Sequence, residues 1–250
     1  MSKILVAIII ILFFWSFFIE PHLLVIKHYQ VNSLNKKIVF ASDFHISKHD
    51  KKRLLRAVNI INAQKPDIVL LGGDFIKGHD GKNTLPIEEQ VEIFKRIKVP
   101  VVTVLGNHDG WYDKKRVIQA LTNAGIKVLL NSNVYAEGLY IAGVEDLQTG
   151  SPEANKALKG TKSPRILLTH SPDVYYDVKD KVDLILAGHT HGGQIYIPLF
   201  GAPIVPSKYG SKFAERIITE TQNRMIITKG IGTSILPIRF CSFPEIIVIN

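Results

Sequence analysis

The sequence predicts an α/β domain that follows an amino-terminal membrane-anchor helix. Two observations carry this prediction: an apolar run from Ile4 to Ile19 that only Ser16 interrupts, and a later alternation between short apolar runs and longer amphipathic ones. That alternation is typical of β and α elements in a layered α/β fold. At 250 residues the chain has room for one such domain, but not for two in addition to a membrane segment.

The apolar run comes first in the chain and predicts an uncleaved anchor. As a helix it spans roughly 24 Å of the ~30 Å hydrocarbon core, and Leu23 to Ile26 extend it past the Glu20-Pro21-His22 junction. A secretory signal peptide would continue into small residues at a cleavage site, and none follow Ile19. A buried core helix is the alternative, which is disfavoured because aromatic side chains leave no polar face: Phe13, Phe14, Trp15, Phe17 and Phe18.

The segment Asn32–Asn35 is interpreted as a linker, which divides the chain into an anchor and linker at 1–35 and an α/β domain at 36–250. One lysine precedes the apolar run, Lys3, whereas three follow it closely, Lys27, Lys36 and Lys37. This excess of positive charge favours a cytoplasmic domain on a single-pass protein of the inner membrane. The net charge of +9 suits anionic lipid headgroups or nucleic acid, and the anchor favours the headgroups. Cys241 is the sole cysteine, which excludes an internal disulfide framework.

The elements of the domain follow from the periodicity. Candidate strands are short runs rich in Ile, Val and Leu, which suggests burial on both faces: Lys37–Ala41, Asp67–Leu71, Val101–Leu105, Val128–Asn131, Leu139–Ala142, Arg165–Thr169, Asp183–Ala187, Met225–Thr228 and Ile246–Ile249. Candidate helices repeat apolar residues at helical spacing and would cover the sheet faces: Lys51–Gln64, Ile87–Ile97, Lys114–Ala124 and Pro152–Leu158.

Residues of the types that bind metals follow five of these candidate strands directly. In open α/β sheets, ligands bind beyond the carboxyl ends of the strands. The residues concerned are Asp43 and His45, then Asp74, then Asn107, His108 and Asp109, then His170, and finally His189 and His191. A single Asp, Asn or His in such a position is usually a turn former or a hydrogen-bonded residue. The recurrence of the mixed set after five strands has few structural explanations and predicts a metal site.

Spacing within the motifs supports a shared site. Asp43 and His45 are two apart, as are His189 and His191, and residues two apart share a face in extended backbone. Glycines frame the motifs and permit close backbone approach. Mixed imidazole and carboxylate ligands suit Mn²⁺, Fe or Zn²⁺, and two cations about 3.5–4 Å apart can clamp both the attacking and the leaving oxygen of a phosphoryl group.

The ordered motifs resemble those of the calcineurin-like metallophosphoesterases, which run D-x-H, G-D, G-N-H-D/E, H and G-H-x-H. The resemblance covers the chain from about Lys37 to the end. The tail from Gly230 to Glu245, with Pro237-Ile238-Arg239, and the junction Ile19-Glu20-Pro21 are similar to the membrane-associated bacterial branch of that family. This branch includes pyrophosphatases of UDP-2,3-diacylglucosamine in lipid A synthesis.

The resemblance implies a four-layer αββα sandwich and a dinuclear site. One divalent ion, expected to be Mn²⁺ with Fe or Zn²⁺ as alternatives, would be held by Asp43, His45, Asp74 and His191. The second would be held by Asp74, Asn107, His170 and His189, so that Asp74 bridges the pair. Their combined charge would lower the pKa of a water toward neutrality and so provide the nucleophile. His108 would act as the catalytic residue on the substrate phosphate, and Asp109 would orient His108.

The first functional hypothesis is therefore a metal-dependent hydrolase of a phosphodiester or pyrophosphate bond in a phosphorylated, lipid-linked substrate such as UDP-2,3-diacylglucosamine. The alternatives are a general phosphodiesterase or nuclease, and a non-catalytic scaffold with the same fold. Nucleic acid is disfavoured as a substrate because the sequence shows no basic groove residues alternating with stacking aromatics, and no obligate protein partner is expected.

The residues after Asp74 disfavour a phosphoprotein substrate. Asp74 leads into Phe75-Ile76-Lys77-Gly78 and not into the acidic and arginine residues that follow this motif in protein phosphatases. Lys77 is either a source of positive charge at the site or a solvated loop residue.

Overall fold

Two six-stranded sheets form the centre of the computed structural model, which describes residues 3–214 and 216–250. The strands are β1 (Val25–Tyr29), β2 (Ile38–Ala41), β3 (Ile68–Leu71), β4 (Val101–Thr103), β5 (Lys127–Val128), β6 (Ser132–Ala136), β7 (Leu139–Gly143), β8 (Arg165–Leu168), β9 (Leu184–Ala187), β10 (Ile217–Ile218), β11 (Met225–Ile227) and β12 (Glu245–Ile249). The α-helices are α1 (Lys3–Phe14), α2 (Lys51–Ala63), α3 (Ile87–Phe94), α4 (Asn107–Asn123) and α5 (Ala154–Leu158).

The first sheet has the order β1-β12-β2-β3-β4-β5, and the second has the order β10-β11-β9-β8-β7-β6. In the first sheet β1 and β12 are parallel to each other, β12 is antiparallel to β2, and β2, β3, β4 and β5 are mutually parallel. In the second, β7, β8, β9 and β11 are parallel, and antiparallel strands form both edges. Parallel strands carry their carboxyl ends to the same edge of a sheet, which is where the loops with the candidate ligands begin.

Three hydrophobic cores separate four layers, which confirms the predicted αββα sandwich. One core lies between the first sheet and α2, α3 and α4, and includes Leu54, Val69 and Phe94. The central core lies between the two sheets, where side chains such as Phe40 and Ile166 are fully buried. The third lies between the second sheet and α5 with its neighbouring turns. Burial on both faces explains why the central strands read as continuous apolar runs.

The nine expected strands and four expected domain helices are all present, with ends shifted by a few residues. The largest shift is in α4, which begins at Asn107 rather than at the expected Lys114, with a kink at Asp113. Three strands were not expected, namely β1, β6 and β10. The sequence Ser-Asn-Val-Tyr-Ala of β6 is polar because it forms an exposed edge, and β10 has only two residues.

The amino-terminal helix leads into the domain through a short connection. Every described residue of α1 is exposed, and one continuous helical stretch, Lys3–His22, is long and apolar enough to span a membrane. Three residues later β1 begins, and it pairs along its whole length with β12. The first sheet therefore extends into the segment 1–35 that the sequence divides off as anchor and linker, and Asn32–Asn35 connects β1 to β2 within the sheet.

Candidate metal centre

The loops after β2, β3, β4, β8 and β9 bring the expected ligands together at the adjoining edges of the two sheets. Asp74 lies at the centre, since its Oδ2 is 3.3 Å from Nε2 of His45 on one side and 3.3 Å from Nε2 of His170 on the other. All three side chains are buried. A buried carboxylate oxygen that faces two imidazole nitrogens has the position of a ligand shared between two cations.

Each histidine beside Asp74 belongs to a separate group of donors. On the first side, Nε2 of His45 is 3.2 Å from Nε2 of His191, which is itself 3.4 Å from Oδ1 of Asp43. The second group surrounds Nε2 of His170, with Oδ1 of Asn107 at 3.0 Å and Nδ1 of His189 at 3.2 Å. The structure thus brings together all seven residues expected to bind metal: Asp43, His45, Asp74, Asn107, His170, His189 and His191.

Hydrogen bonds from the ring nitrogens explain which atoms are free to bind a cation. The carbonyl of Ile76 is 2.9 Å from Nδ1 of His45, and the carbonyl of Gly72 is 2.8 Å from Nδ1 of His170. Because a carbonyl only accepts, each Nδ1 carries the proton, and in the neutral ring Nε2 carries the lone pair. Second partners of this kind typically orient histidines that bind metals. The donor set therefore fits divalent cations at this site.

Burial affects the charge of these histidines in different ways. It lowers the pKa of His45 to about 3 and the pKa of His189 to about 4, so both rings are neutral near pH 7. Burial also favours the neutral form of His170, but the carboxylates of Asp74 and Asp43 outweigh it and raise the pKa of that ring. A cation between His170 and Asp74 would replace the proton and serve the same electrostatic role.

The backbone is strained at the ligand positions. Five of these residues have positive φ angles: Asp43 (+53°), His45 (+40°), Asp74 (+56°), His189 (+71°) and His191 (+52°). This left-handed region is disfavoured for residues with a Cβ, and each occurrence costs about 1–3 kcal/mol. Such strain clusters where the surrounding structure forces side chains into a functional arrangement.

Two glycines allow the loops to approach this closely. A Cβ at Gly106 would lie 2.1 Å from Oδ1 of Asp74 and 2.7 Å from Cε1 of His170. At Gly188 it would lie 2.4 Å from Oδ2 of Asp43. These separations are far shorter than van der Waals contact, so the glycines before Asn107 and His189 are required by the packing of the centre itself.

Asp109 has a different role from the expected one. Its Oδ2 accepts hydrogen bonds from the amides of Asp74 (2.8 Å) and Gly106 (2.9 Å), and its Oδ1 accepts from Phe75 (2.9 Å) and Ile76 (3.2 Å). The prediction that Asp109 orients the His108 ring is wrong, because all these bonds go to backbone. The carboxylate instead ties the loop after β3 to the amino terminus of α4 and so fixes the position of Asp74.

We expect Asp109→Asn to destabilise the protein by about 2–4 kcal/mol and to lower its Tm by about 4–16 °C, because the amide NH₂ cannot accept the bonds now made to one carboxylate oxygen. Thermal unfolding of chelator-treated protein measures this change without a contribution from bound metal. Asp113→Asn is the matched control, since exposed Asp113 accepts a single bond from the Arg116 amide. Equal Tm values for the two variants would contradict the role assigned to Asp109.

A cavity of about 390 Å³ opens over this centre. His108 lines it, and Nδ1 of this ring contacts the Gly78 carbonyl at 2.9 Å, which leaves Nε2 for a substrate. Trp111, His79 and Gln148 also line the cavity and are not among the site residues predicted from the sequence. The rings of Trp111 and His79 lie 4.2 Å apart, and Nε2 of Gln148 is 3.4 Å from Nε2 of His189. Gln148 lies six residues after the predicted strand Leu139–Ala142, whereas the first ligand of each motif lies one to three residues after its strand, so the rule that found the ligands does not find Gln148.

Two basic residues near the centre are bound to backbone rather than free. Nζ of Lys77 donates to the Thr233 carbonyl at 3.3 Å, and burial lowers its pKa. Arg239 is completely buried, donates to the carbonyls of Lys229 (2.8 Å) and Ser242 (2.7 Å), and lies 3.4 Å from Nδ1 of His191. The guanidinium therefore holds the carboxyl-terminal loop against the metal centre.

Comparison with known proteins agrees with this geometry. Residues 36–193 match the model of the calcineurin-like phosphoesterase family. Over 92% of its length the chain is 32% identical to the uncharacterized metallophosphoesterase YkuE of Bacillus subtilis, of which the match covers 86%. It is 30% identical to the phosphodiesterase YaeI of Escherichia coli, with 88% of this chain and 83% of the relative covered.

The fold also agrees with a solved structure. The crystal structure of TT1561 from Thermus thermophilus superposes with a TM-score of 0.54, covering 78% of this chain and 90% of that one. At 14% identity this similarity concerns the fold alone. The family model, by contrast, spans the loops that carry all the candidate ligands from Asp43 to His191. With its two sheets, its central Asp74 carboxylate and its flanking histidines, the chain belongs to the calcineurin-like phosphoesterase family and is a metal-dependent phosphoester hydrolase.

Proposed function

We propose that this hydrolase uses two divalent cations, with Mn²⁺ as the expected ion, to cleave a phosphodiester or pyrophosphate bond in a membrane-associated substrate. The observation that carries the proposal is the position of Asp74 between two complete donor groups. One ion is assigned to Asp43, His45, Asp74 and His191, and the other to Asp74, Asn107, His170 and His189. When bound, such a pair supplies Lewis acidity toward phosphoryl oxygens and hydroxide at neutral pH.

His108 is assigned to the substrate. Its ring packs edge-on against His45 with centroids 4.6 Å apart, and its side chain lies close enough to Asp74 and His45 to complete a further group of possible ligands. Both donor groups are complete without it, so its Nε2 is available to the substrate. Because Nδ1 already donates to the Gly78 carbonyl, it is the protonated ring that can donate through Nε2 a hydrogen bond to a phosphoryl oxygen or a proton to the leaving oxygen. The amino terminus of α4, where His108 lies, adds a partial positive charge that favours an anion.

The lining of the cavity favours a diester over a monoester. Among the described residues that line it, none is a lysine or an arginine, so histidines and the cations would provide its positive charge. A singly charged diester needs less compensation than a doubly charged monoester. Apolar groups such as Trp111, Ile204, Pro206 and Ile235 make room for substituents on the phosphate. The name of the Escherichia coli relative, a phosphodiesterase, supports the same substrate class.

The anchor points to a substrate in or at a membrane. The helix Lys3–His22 would place the domain at the inner membrane, and the lysines that follow it favour the cytoplasmic side. A nucleotide-linked lipid such as UDP-2,3-diacylglucosamine combines a pyrophosphate bond with acyl chains and would be met on that side. It is therefore the first lipid substrate to test.

The test uses the full-length chain in detergent micelles or nanodiscs with Mn²⁺. We expect turnover of bis(p-nitrophenyl) phosphate to exceed that of p-nitrophenyl phosphate, to stop on addition of EDTA and to return when excess Mn²⁺ is added. UDP-2,3-diacylglucosamine is assayed in parallel, with release of UMP as the readout. A preference for the monoester would contradict the diester assignment. If the soluble diester is cleaved but UDP-2,3-diacylglucosamine is not, only that lipid is excluded as a substrate and the diester assignment stands.

A further inference from the structure

An apolar rim borders the cavity on the side where the amino-terminal helix leaves the domain. It consists of Ile197, Leu199, Phe200, Ile204, Ile235 and Leu236, all of them exposed. Leu199 is 100% exposed, Ile235 90%, Phe200 87% and Ile204 78%. Single exposed apolar residues are ordinary on soluble proteins, but a contiguous set beside a functional cavity typically marks a binding surface.

The rim has a defined structure. Leu199 and Phe200 form the tip of a tight turn closed by hydrogen bonds between Ile197 and Gly201 of 2.8 and 2.9 Å. Gln194 joins this turn to the second loop of the rim, since its Oε1 accepts from the Ser234 amide at 2.6 Å and its Nε2 donates to the Leu236 carbonyl at 3.3 Å. The two loops are therefore held together, and their apolar tips form one surface.

The same loops are bonded to the end of the anchor. The Arg239 amide donates to the Ser16 carbonyl at 2.9 Å, and the Ser242 amide donates to Oε1 of Glu20 at 2.6 Å. Ser16 and Glu20 are buried, in contrast to every residue of α1 before them. Phe240 pairs in turn with Gln194 and Tyr196. The rim is thus connected by backbone hydrogen bonds to the point at which the helix enters the domain.

Positive charge at the end of the helix complements an anionic surface. Exposed Lys52 and Arg56 of α2 lie beside His22, whose carbonyl accepts a hydrogen bond from Arg56 at 3.2 Å. Basic side chains near the end of a membrane helix are attracted to anionic headgroups. The end of the helix therefore contacts both basic side chains of α2 and the loop that leads to the apolar rim, an arrangement that suits a lipid bilayer.

We infer that the apolar rim inserts into the same leaflet that the helix enters, so that the catalytic cavity opens onto the bilayer surface. The inference rests on the membrane anchoring proposed above and extends it to the loops of the active site. A substrate whose phosphate lies at the headgroup level would then reach the centre while its hydrocarbon chains pass along Ile204 and Ile235, which line both the rim and the cavity.

A probe at the tip of the rim tests the insertion directly. Cys241→Ser removes the sole cysteine, and Leu199→Cys then takes an environment-sensitive fluorophore. The full chain is reconstituted in phosphatidylethanolamine and phosphatidylglycerol vesicles with brominated acyl chains. Tyr135→Cys is the matched control, because Tyr135 is 62% exposed and lies in β6, on an edge strand of the second sheet. We expect strong quenching at position 199 and little at 135.

Vesicle flotation separates this inference from the anchoring on which it rests. If the chain floats with the vesicles but the fluorophore at position 199 is no more quenched than that at 135, the helix anchors the domain and the inference that the rim inserts is overturned. The exposed rim would then be a surface for a protein partner. If the chain does not float, the anchoring itself fails and the inference fails with it.

Kinetics provide a second test. We expect the double variant Leu199→Asp, Phe200→Asp to retain kcat/KM on soluble bis(p-nitrophenyl) phosphate within about twofold, because neither residue lines the cavity. On UDP-2,3-diacylglucosamine embedded in vesicles, kcat/KM should fall by about tenfold or more, because two apolar side chains that would insert into the bilayer are replaced by carboxylates. Equal losses on both substrates would show that the loops support the active site structurally and would overturn the inference.

Discussion

Asp74→Ala should reduce hydrolysis of bis(p-nitrophenyl) phosphate by about 10⁴-fold or more, close to the uncatalysed limit of the assay. The physical reason is that Oδ2 of Asp74 faces both donor groups at 3.3 Å, so one substitution removes a ligand from each ion. The carboxylate also accepts the His108 amide at 2.9 Å, and its loss loosens the start of α4. Turnover and bound metal are measured on the same preparation, and both should fall together.

The matched control for this variant is Asp80→Ala. Asp80 lies in the same loop six residues later, is exposed and interacts only with Lys82 among the described residues. It should leave turnover and bound metal unchanged within about twofold. An Asp74→Ala variant that keeps a full metal content, or activity within tenfold of the parent, would show that the two cations are not shared through this carboxylate.

His108→Ala should lower kcat by about 10²–10³-fold while leaving the metal content unchanged. The ring donates through Nδ1 to Gly78 and offers only Nε2 to the substrate, and neither donor group depends on it. If Nε2 protonates the leaving oxygen, the loss should be larger for a diester with an alkoxide leaving group than for one with p-nitrophenolate, which needs little protonation. Kinetics on both substrates, with bound metal measured alongside, check the assignment.

His49→Ala is the control, since His49 is exposed and lies away from the catalytic cavity, next to the amino-terminal junction. It should not change either rate. Loss of one ion in His108→Ala would instead identify His108 as a ligand, which its closeness to His45 and Asp74 permits geometrically. An equal loss of kcat on both leaving groups would favour stabilisation of charge on a phosphoryl oxygen over proton donation.

The positions of the ligands could be predicted because one rule applies to all of them. Asp43, Asp74, Asn107, His170 and His189 each follow a parallel strand, and parallel strands end at a common edge. The continuous apolar runs also predict that those strands are buried on both faces. The role of Asp109 could not be derived in this way, because the four amides that it binds come from two loops whose approach exists only in the folded chain.

The amino-terminal region shows a second limit of the sequence pattern. The apolar residues of β1 continue the hydrophobicity of the anchor, so the sequence does not reveal that Val25–Tyr29 pairs with β12 near the other end of the chain. Such long-range pairing leaves no local signal. The same applies to Arg239, whose position against His191 depends on the packing of the carboxyl-terminal loop on the helix junction. Removal of residues 1–34 would therefore expose the edge of β12 as well as remove the apolar amino-terminal helix.

The most direct test of a dinuclear centre is to titrate Mn²⁺ into metal-free full-length protein while counting bound ions and following turnover of bis(p-nitrophenyl) phosphate. The geometry around Asp74 predicts two ions per chain, with full activity only when both are bound. Saturation at one ion with full activity, or turnover without bound metal, would contradict the assignment of Asp74 as a ligand shared by two cations.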